Sequence, residues 1–413
     1  MTRPSAEFRP RDPWPAADVH VEWGVPALEQ AAARGDGIVI VDVMSFSTLV
    51  ALVTERGAQL KGLGPGDIDA LGGRDAVAQQ LDAFVAGETR GDPSARVTLS
   101  PASAVRVQRG DRLVVPSLNG GRLTTGAGRA PFAIVACLRN CVAVGAFVAA
   151  ARRLGMVERV TIVAAAERWK ADWTGEDRSR FAIEDWLGAG AIALESNARG
   201  LALSAEAALA ARAFDAVRDD LDAVLADSVT GRELRDAGFA SDVALASESG
   251  VDDGVPRLGA DGFVARLPFS WRPAVEGDRP FLFALKEAAM REYIAAAFGE
   301  WNERDQRTMF DPDLVRIAIV TVDGHDAGMV EARIDHGGLY LANIQIAPDH
   351  QSRGLGARIV DVLATAAHAR GLPLVLQVLK VNPRARAFYE GLGLRVTGES
   401  QYHWPMTLEA APS

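Results

Sequence analysis

Short hydrophobic runs alternate with amphipathic, alanine-rich stretches in the first half of the chain. Four runs rich in β-branched residues are bounded by polar positions, as is typical of buried strands: residues 37–43, 112–116, 132–136 and 160–164. The stretches with helical spacing are residues 76–86, 142–154, 183–193 and 204–225. Strands that alternate with helices indicate βαβ units. The pattern therefore predicts an α/β domain with a mostly parallel or mixed sheet that helices cover.

The periodicity changes after residues 266–280, where three prolines and several charges interrupt both helical and strand spacing. Such a segment predicts a linker between domains. Beyond it, residues 283–298 have helical spacing, and strand-like runs follow at 315–322, 328–334 and 339–346. Asp323-Gly324 is typical of a hairpin turn between the first two of these runs. This part is predicted as an antiparallel α+β domain.

The resulting division has four parts. A flexible tail is expected at residues 1–15, an α/β domain at 16–265, a linker at 266–280 and an α+β domain at 281–410. Two or three domains agree with a length of 413 residues, since domains commonly hold roughly 100–200 residues.

Charge and hydropathy exclude several classes of protein. The chain has 44 Lys and Arg against 54 Asp and Glu, a net charge of -10, so it lacks the broad positive field of a non-specific nucleic-acid binder. No apolar run reaches the roughly 18–20 residues of a membrane span. We therefore expect a cytoplasmic protein with small-molecule partners, without a nucleic-acid or membrane partner. Whether it forms a homo-oligomer is left open.

The most informative motif lies between a strand and a long helix. Residues 351–356, QSRGLG, lead directly into apolar positions at helical spacing, and Gly371 ends that helix. Glycines at such a turn let backbone N–H groups converge on an anion, and the helix dipole adds positive potential. The motif lacks the Lys-Ser/Thr of a Walker loop and the third glycine of a dinucleotide fingerprint.

This motif resembles the Gln/Arg-x-x-Gly-x-Gly/Ala signature of GNAT acyltransferases, whose loop holds the pyrophosphate of acetyl-CoA. Residues 382–394, NPRARAFYEGLGL, are similar to that family's closing motif. The resemblance implies an α+β GNAT domain that transfers an acyl group from acetyl-CoA to an amine acceptor. The cofactor-binding residues it implies are Ile344, Gln345, Ile346, Gln351, Arg353, Gly354, Leu355, Gly356, Ala357 and Asn382.

Two side chains are candidates for proton transfer in this domain. The resemblance implies that Tyr389 faces the sulfur of acetyl-CoA, and a phenol of reference pKa ~10 can protonate a departing thiolate. Glu331, on a neighbouring strand, is a candidate base for the amine. Alternatives remain: Tyr389 as a packing aromatic, Glu331 as a solvated carboxylate and Asn382 as a helix-start residue.

The N-terminal domain carries polar residues where its strands are predicted to end. They are Asp42, Ser45, Ser47, Thr48, Asn119, Gly120, Glu184 and Asp185. Ligands of open α/β sheets bind at the carboxyl ends of strands. Residues 41–48, 100–101, 116–120, 138–140, 184–190 and 230–234 together resemble the 2-phosphosulfolactate phosphatase family. That resemblance implies Mg²⁺-dependent hydrolysis of a phosphate ester.

Roles within this candidate site follow from ligand chemistry. Asp42, Glu184 and Asp185 are predicted Mg²⁺ ligands, since this hard ion prefers carboxylates and water, and Asp42 is also the candidate catalytic residue. Hydroxyls, amides and backbone N–H groups suit phosphate oxygens, which assigns Ser45, Ser47, Thr48, Asn119 and Gly120 to the substrate. The alternatives are a helix-start charge pair at residues 184–185 and ordinary turn or cap residues elsewhere.

The chain departs from the phosphatase family at two places. Ser45 stands where relatives often have an arginine, and Thr98-Leu99 stands where they have Gly-Asn. An absent arginine removes a bidentate phosphate ligand. Arg168 or Arg122 are candidates to replace it, and Arg168 joins the predicted substrate-binding set. Two alternative hypotheses follow: a non-catalytic binding or scaffolding N-terminal domain, and a GNAT domain that senses acetyl-CoA.

Overall fold

The structure is a computed structural model that describes residues 16–168 and 179–410. The predicted tail, residues 1–15, lies outside the described residues. Within them the strands form a nine-stranded sheet, a seven-stranded sheet and a two-stranded ribbon. None of the helices in these ranges is long and apolar enough to cross a membrane.

The first half contains eleven of the described strands and eleven of the described helices. The strands are β1 (Val19–Trp23), β2 (Gly37–Val41), β3 (Gln59–Leu63), β4 (Phe84–Val85), β5 (Arg112–Pro116), β6 (Ala133–Ala136), β7 (Val160–Ala164), β8 (Glu167–Arg168), β9 (Ser179–Arg180), β10 (Pro256–Leu258) and β11 (Val264–Arg266). The helices are α1 (Gly24–Ala33), α2 (Phe46–Glu55), α3 (Pro65–Ala70), α4 (Arg74–Leu81), α5 (Leu118–Gly126), α6 (Cys141–Arg153), α7 (Ile183–Asn197), α8 (Ala205–Val217), α9 (Leu221–Asp227), α10 (Val229–Asp236) and α11 (Ala240–Ser247).

The nine-stranded sheet is mixed, in the order β1-β7-β2-β6-β10-β11-β3-β5-β4. The parallel groups β1-β7-β2-β6 and β3-β5-β4 flank the hairpin of β10 and β11, which pairs antiparallel to both. The predicted covered α/β sheet is confirmed. The short hairpin in its middle was not predicted.

The second half contains seven strands and four helices in the described range. The strands are β12 (Ser270–Pro273), β13 (Ile317–Val322), β14 (His325–Asp335), β15 (Gly338–Ile346), β16 (Leu374–Leu379), β17 (Arg395–Val396) and β18 (His403–Leu408). The helices are α12 (Arg279–Phe298), α13 (Glu303–Thr308), α14 (Leu355–Ala369) and α15 (Pro383–Gly391). Asp323 and Gly324 both have positive φ, at 48° and 76°, and join β13 to β14 as the predicted hairpin turn.

The seven-stranded sheet opens in its middle. β15 pairs with β16 in parallel only from Leu339–Leu374 to Leu341–Leu376, although both strands continue further. Along its other edge β15 stays paired with β14 as far as Ile346. The backbone of β15 beyond Leu341 therefore faces a gap between the two strands, and α14 begins just past the end of β15.

The predicted linker is wrong in its central part, because residues 270–273 form β12 at the edge of the second sheet. Trp271 in this strand is fully buried, and its ring stacks on Phe147 of α6 with centroids 5.3 Å apart. Arg370 also donates to the backbone oxygen of Gly155 at 2.7 Å. Tertiary packing overrides the proline and charge pattern here, so the two domains share one continuous core.

One predicted helix also ends earlier than expected. Residues 76–86 were predicted as helical throughout, yet α4 ends at Leu81 and Asp82 adopts a left-handed conformation with φ of 47°. Phe84 and Val85 then pair with β5 as a short edge strand. The left-handed residue redirects the chain, which alanine content alone does not show.

Candidate functional site

Acidic side chains gather at the carboxyl end of β2. Asp42 follows β2 directly, and Glu184 and Asp185 lie in the first turn of α7. The carboxylate of Asp185 accepts the backbone N–H of Val43 at 2.8 Å, which ties α7 to the end of β2. Glu167 of β8 is close enough to act electrostatically on Asp42 and Asp185. We call Asp42, Glu167, Glu184 and Asp185 the acidic cluster.

Burial and mutual repulsion raise the pKa values in the acidic cluster. Burial, with repulsion from Glu167 and Glu184, raises the pKa of Asp42 to about 7. Burial, with repulsion from Asp42 and Glu184, raises the pKa of Asp185 well above its usual range. Glu184 Oε2 is buried without a hydrogen-bond partner among the described residues. A cation would offset this concentration of buried carboxylates.

The predicted Mg²⁺ ligands do not form a closed cage. Among the described residues no three acidic, His or Cys side chains converge in metal-ligating geometry, and one oxygen of Asp185 is already bonded to Val43. Mg²⁺ usually keeps several waters and takes one or two carboxylates. Asp42 and Glu184, with its unsatisfied buried oxygen, fit such an open site.

Ser47 and Thr48 do not face a ligand site, in contrast to the predicted phosphate contacts. Both side chains are fully buried. Ser47 Oγ accepts the backbone N–H of Asp42 at 2.9 Å, and the Thr48 hydroxyl donates to the backbone oxygen of Val43 at 2.8 Å. These hydroxyls hold the loop between β2 and α2 in shape instead of facing a ligand.

Asn119 and Gly120 occupy the start of α5, beside that loop. Asn119 Nδ2 donates to the backbone oxygen of Ala166 at 3.0 Å, which links α5 to the segment after β7. The N–H of Gly120 donates to Ser117 Oγ, so it is not available to a phosphate. A Cβ at position 120 would lie 2.3 Å from the ring of Phe46, which explains the glycine by packing. The structure thus explains Gly120 by its packing and by the capping bond of its N–H, and a substrate contact of this residue stays a prediction.

An arginine that the sequence analysis missed reaches Ser45. Arg90 Nη2 donates to Ser45 Oγ at 2.9 Å, and Nη1 pairs with Asp242 at 2.7 Å. Asp242 also accepts the hydroxyl of Ser100 at 2.6 Å, which fixes its carboxylate. The charge of Arg90 acts on Asp42 and opposes the rise of its pKa. Arg168, the predicted candidate, lies in β8 with its side chain outside the described residues.

The loop between β15 and α14 has the shape that the glycine motif predicts. Gln351 Nε2 donates to the backbone oxygen of Ile346 at 2.8 Å, which holds the loop against the end of β15. Ser352 and Gly354 are left-handed, with φ of 59° and 77°. Gly354 is the N-terminal cap of α14 and supplies no side-chain cap. The first helical hydrogen bond runs from Arg358 to the oxygen of Gly354.

The backbone N–H groups of this loop are left without acceptors. For residues 352–357 the described ranges, 16–168 and 179–410, contain no acceptor for the backbone N–H groups. Arg353 and Gly354 are exposed, whereas Leu355 is buried and anchors the helix start in the core. Gly356 and Ala357 lie in the first turn, half-buried. We call residues 352–357 the amide cradle, which can bind an anion.

The residues predicted to hold the thioester lie along the open edge of β15. Ile344 and Ile346 are half-buried, and Gln345 is buried. Asn382 Oδ1 accepts the N–H of Ala385 at 2.9 Å, so its carbonyl caps α15, as the alternative interpretation has it. Tyr389 is buried beside Phe388, and burial raises its pKa to about 12. The phenol therefore stays protonated at neutral pH.

A small cavity of about 290 Å³ lies between α12, the segment after α13 and the strands β14 and β15. Glu331 and Gln345 line it together with Lys286, Met290 and Phe310. Burial raises the pKa of Glu331, and Arg333 opposes part of that rise. Burial also lowers the pKa of Lys286. A half-buried carboxylate among apolar side chains suits an amine acceptor.

The chain therefore has the acidic cluster at the end of a strand in its α/β domain and the amide cradle in its α+β domain. The model of the 2-phosphosulpholactate phosphatase family matches residues 25–261, more than half of the chain. The chain belongs to that family. Residues 282–394 match the acetyltransferase (GNAT) family, whose domains use acetyl-CoA. Both families are families of enzymes, as the sequence predicted.

Individual relatives match the C-terminal part. A 5-NmdU N-acetyltransferase of Pseudomonas phage PaMx11 is 43% identical over 58 residues, which are 14% of this chain and 39% of that protein. The chain thus spans about two fifths of that curated relative. An acetyltransferase of Thermus thermophilus is 22% identical, covers 35% of this chain and 97% of its own, and has a TM-score of 0.28. The PaiA N-acetyltransferase of Thermoplasma acidophilum, in complex with coenzyme A, is 14% identical over 35% of this chain and 99% of its own, with a TM-score of 0.29.

Proposed function

We propose that the C-terminal domain transfers an acetyl group from acetyl-CoA to a small amine. The observation that carries this proposal is the amide cradle, whose N–H groups have no acceptor among the described residues. Consecutive free N–H groups at a helix start suit the pyrophosphate of acetyl-CoA. The gap between β15 and β16 leaves room for the pantetheine arm beside Ile344, Gln345 and Ile346.

In this reaction the amine nitrogen attacks the thioester carbonyl carbon and the carbon–sulfur bond breaks. A fixed backbone N–H on β15 would stabilise the oxyanion that forms. Glu331, with its raised pKa, would take the proton that the amine loses. Tyr389 would give its phenolic proton to the departing thiolate, which leaves as the thiol.

Calorimetric titration of the full chain with acetyl-CoA tests the proposal directly. We expect binding by the wild-type chain, followed by acetyl transfer in a panel of small amines. Tyr389→Phe should lower kcat by roughly 10²-fold or more with little change in acetyl-CoA affinity. Absence of binding contradicts the proposal. Binding without transfer to any amine favours the alternative of an acetyl-CoA sensor.

We also propose that the N-terminal domain hydrolyses a small phosphate ester with Mg²⁺. Asp42 and Glu184 would hold the ion, which when bound supplies positive charge to the phosphate oxygens. Arg90, fixed by Asp242, would take the phosphate contact that an arginine at position 45 supplies in relatives. Asn119 lies beside the same loop and would orient the ester.

Phosphate release from 2-phosphosulfolactate and related esters, with and without Mg²⁺, tests this second proposal. Arg90→Gln should raise KM for the ester, whereas Arg129→Gln, at an exposed position just after α5, serves as the matched control and should not. Ester binding without Mg²⁺-dependent turnover would instead favour a non-catalytic binding or scaffolding module.

We propose that the partners of the chain are small molecules and that it acts in the cytoplasm. The net charge of -10 supports the absence of a nucleic-acid partner. Both cysteines, Cys137 and Cys141, are free and buried, which suits a reducing compartment. We therefore expect no cross-linking of the protein to DNA or RNA above background.

A further inference from the structure

The amide cradle faces a large cavity between the two domains. This cavity has a volume of about 920 Å³. Its N-terminal wall comes from the end of α5 and from the β10–β11 hairpin, and its C-terminal wall comes from the cradle and the first turns of α14. Gly354 and Leu355 belong both to the cradle and to this wall. We call the cavity the interdomain cleft, and its size lies within the roughly 300–1,000 Å³ of ligand pockets.

Four arginines line the interdomain cleft, although the chain as a whole is acidic. Arg353 and Arg358 line it from the C-terminal side, and Arg257 and Arg266 line it from the N-terminal side. Two aspartates, Asp261 and Asp361, also reach its walls. Arg266 is paired with Asp252 and Asp253, and Arg257 contacts Asp361. Arg353 and Arg358, beside the cradle, are the lining arginines with the least compensated charge, and they favour an anionic occupant there.

Arg257 has hydrogen-bonding capacity that the protein does not use. Its side chain is 13% exposed, and Nη1 meets the exposed carboxylate of Asp361 at 3.3 Å. Its Nε is buried and has no partner among the described residues. The backbone of Arg257 pairs with Ile134 of β6, so the residue is held by the central sheet. Because Nε is buried, only the outer nitrogens can reach a ligand, and a guanidinium whose outer nitrogen makes a long contact to an exposed carboxylate can exchange that contact for a phosphate.

We propose that the interdomain cleft receives the nucleotide end of acetyl-CoA, with Arg257 of the phosphatase-family domain as a phosphate ligand. This inference rests on the proposed acetyl transfer, because the cradle and the cleft are continuous at Gly354. The pyrophosphate lies on the cradle, and the 3′-phosphoadenosine extends from it toward Arg257. Leu258, Leu267 and Val322 supply apolar wall for the base. The two domains then build one cofactor site.

Calorimetry on the full chain with two probes separates this inference from the proposed function. The probes are acetyl-CoA and S-acetyl-4′-phosphopantetheine, which keeps one phosphate and lacks the nucleotide. We expect the wild-type chain to bind acetyl-CoA more tightly. If it binds neither probe, the proposed acetyl transfer fails. If it binds both probes equally, the amide cradle keeps its role as a phosphate site, but the inference about the cleft is overturned.

Two substitutions distinguish a phosphate contact from a structural ion pair. Arg257→Gln should weaken acetyl-CoA binding about tenfold and leave S-acetyl-4′-phosphopantetheine unchanged, since about 1.4 kcal/mol is a factor of ten. Asp361→Asn, the matched control, breaks the same ion pair yet removes negative charge from the cleft, so acetyl-CoA should bind equally well or better. Equal losses in both variants, or no loss in Arg257→Gln, would overturn the inference. Thermal melting establishes that each variant is folded.

Discussion

Two loops of this protein connect a strand to the helix that follows, and they differ in how many of their backbone N–H groups are bonded within the protein. In the loop from β2 to α2, the N–H groups of Asp42, Val43 and Ser47 are bonded to Ser47 Oγ, to Asp185 and to the oxygen of Asp42. In the amide cradle after β15, the described residues offer no acceptor to the N–H groups. We call the first loop closed, because these three N–H groups are bonded within the protein, and the second loop open.

This difference sets the sign of the ligand that each loop suits. Three N–H groups of the first loop are bonded within the protein, and the side chains gathered beside it are the carboxylates of the acidic cluster, which suit a cation. The open loop presents donors and a helix N-terminus, which suit an anion. The same position in two folds thus supports different chemistry, according to whether hydroxyl side chains or glycines stand in the turn.

A substitution that changes the backbone turn of the amide cradle should have the largest effect on acetyl-CoA affinity. Gly354→Val places a β-branched residue at φ of 77°, which forces the turn to change. We expect acetyl-CoA affinity to fall about 100-fold, as when two charge-assisted hydrogen bonds are lost. Gly371→Val, at φ of 67° beyond the other end of α14, is the control and should cost stability only. Calorimetry that finds similar affinity in both variants contradicts the role of the cradle.

Removing a carboxylate from the closed loop should leave the cradle untouched. Asp42→Asn is expected to lower Mg²⁺ affinity and ester hydrolysis roughly 10- to 100-fold. Acetyl-CoA binding should not change. Asp36→Asn provides a second buried carboxylate, paired with Arg34 at 2.7 Å, and should reduce stability without altering the Mg²⁺ dependence. Titration of phosphate release with Mg²⁺ checks both variants, and an unchanged Mg²⁺ response in Asp42→Asn would exclude it as a ligand.

The two sites also differ in their titrating groups, carboxylates in one and the phenol of Tyr389 in the other. The folded-state pKa of Tyr389 is raised from 10.0 to about 12. Its protonated form therefore stabilises the fold fully below about pH 10, and this contribution, about 2 to 3 kcal/mol, is lost between about pH 10 and 12. Urea unfolding across that range should show the loss in the wild type.

Substitution identifies Tyr389 as the source of that alkaline loss. Tyr389→Phe has no proton to lose, so its free energy of unfolding should decline less between about pH 10 and 12. Tyr402→Phe, at an exposed position, should behave as the wild type does. An identical decline in all three proteins would mean that another group is responsible.

The smallest effect is expected from the hydroxyl that closes the first loop. Ser47→Ala leaves the buried N–H of Asp42 without its acceptor, which should cost about 1 to 2 kcal/mol of stability. Ser94→Ala, on the exposed surface, should stay within about 0.5 kcal/mol of the wild type. Chemical denaturation measures both, and equal stability of the two variants would show that the loop finds another acceptor.

Periodicity and motifs predicted four of the nine strands of the first sheet (β2, β5, β6 and β7), the hairpin at Asp323-Gly324 and the glycine turn at Gly354. They could not predict that the hydroxyls of Ser47 and Thr48 turn inward, because a turn residue and a ligand residue have the same sequence signature. Arg90 was missed since it reaches Ser45 from a distant loop, and only the fold brings them together.

Three short strands, β10, β11 and β12, could not be predicted from the sequence either. β10 and β11 have only three residues each, too few for an alternating pattern to show. β12 was hidden by its prolines and charges, although Trp271 within it is fully buried. In these segments long-range packing decides the conformation, and local propensity carries little information.

The stacking of Trp271 on Phe147 has a consequence for how the chain can be divided. Truncation between the halves would separate the Trp271 ring from Phe147 and expose apolar side chains on both fragments. Each fragment would then be prone to aggregate, so we expect each half to need the other in order to be produced in folded form.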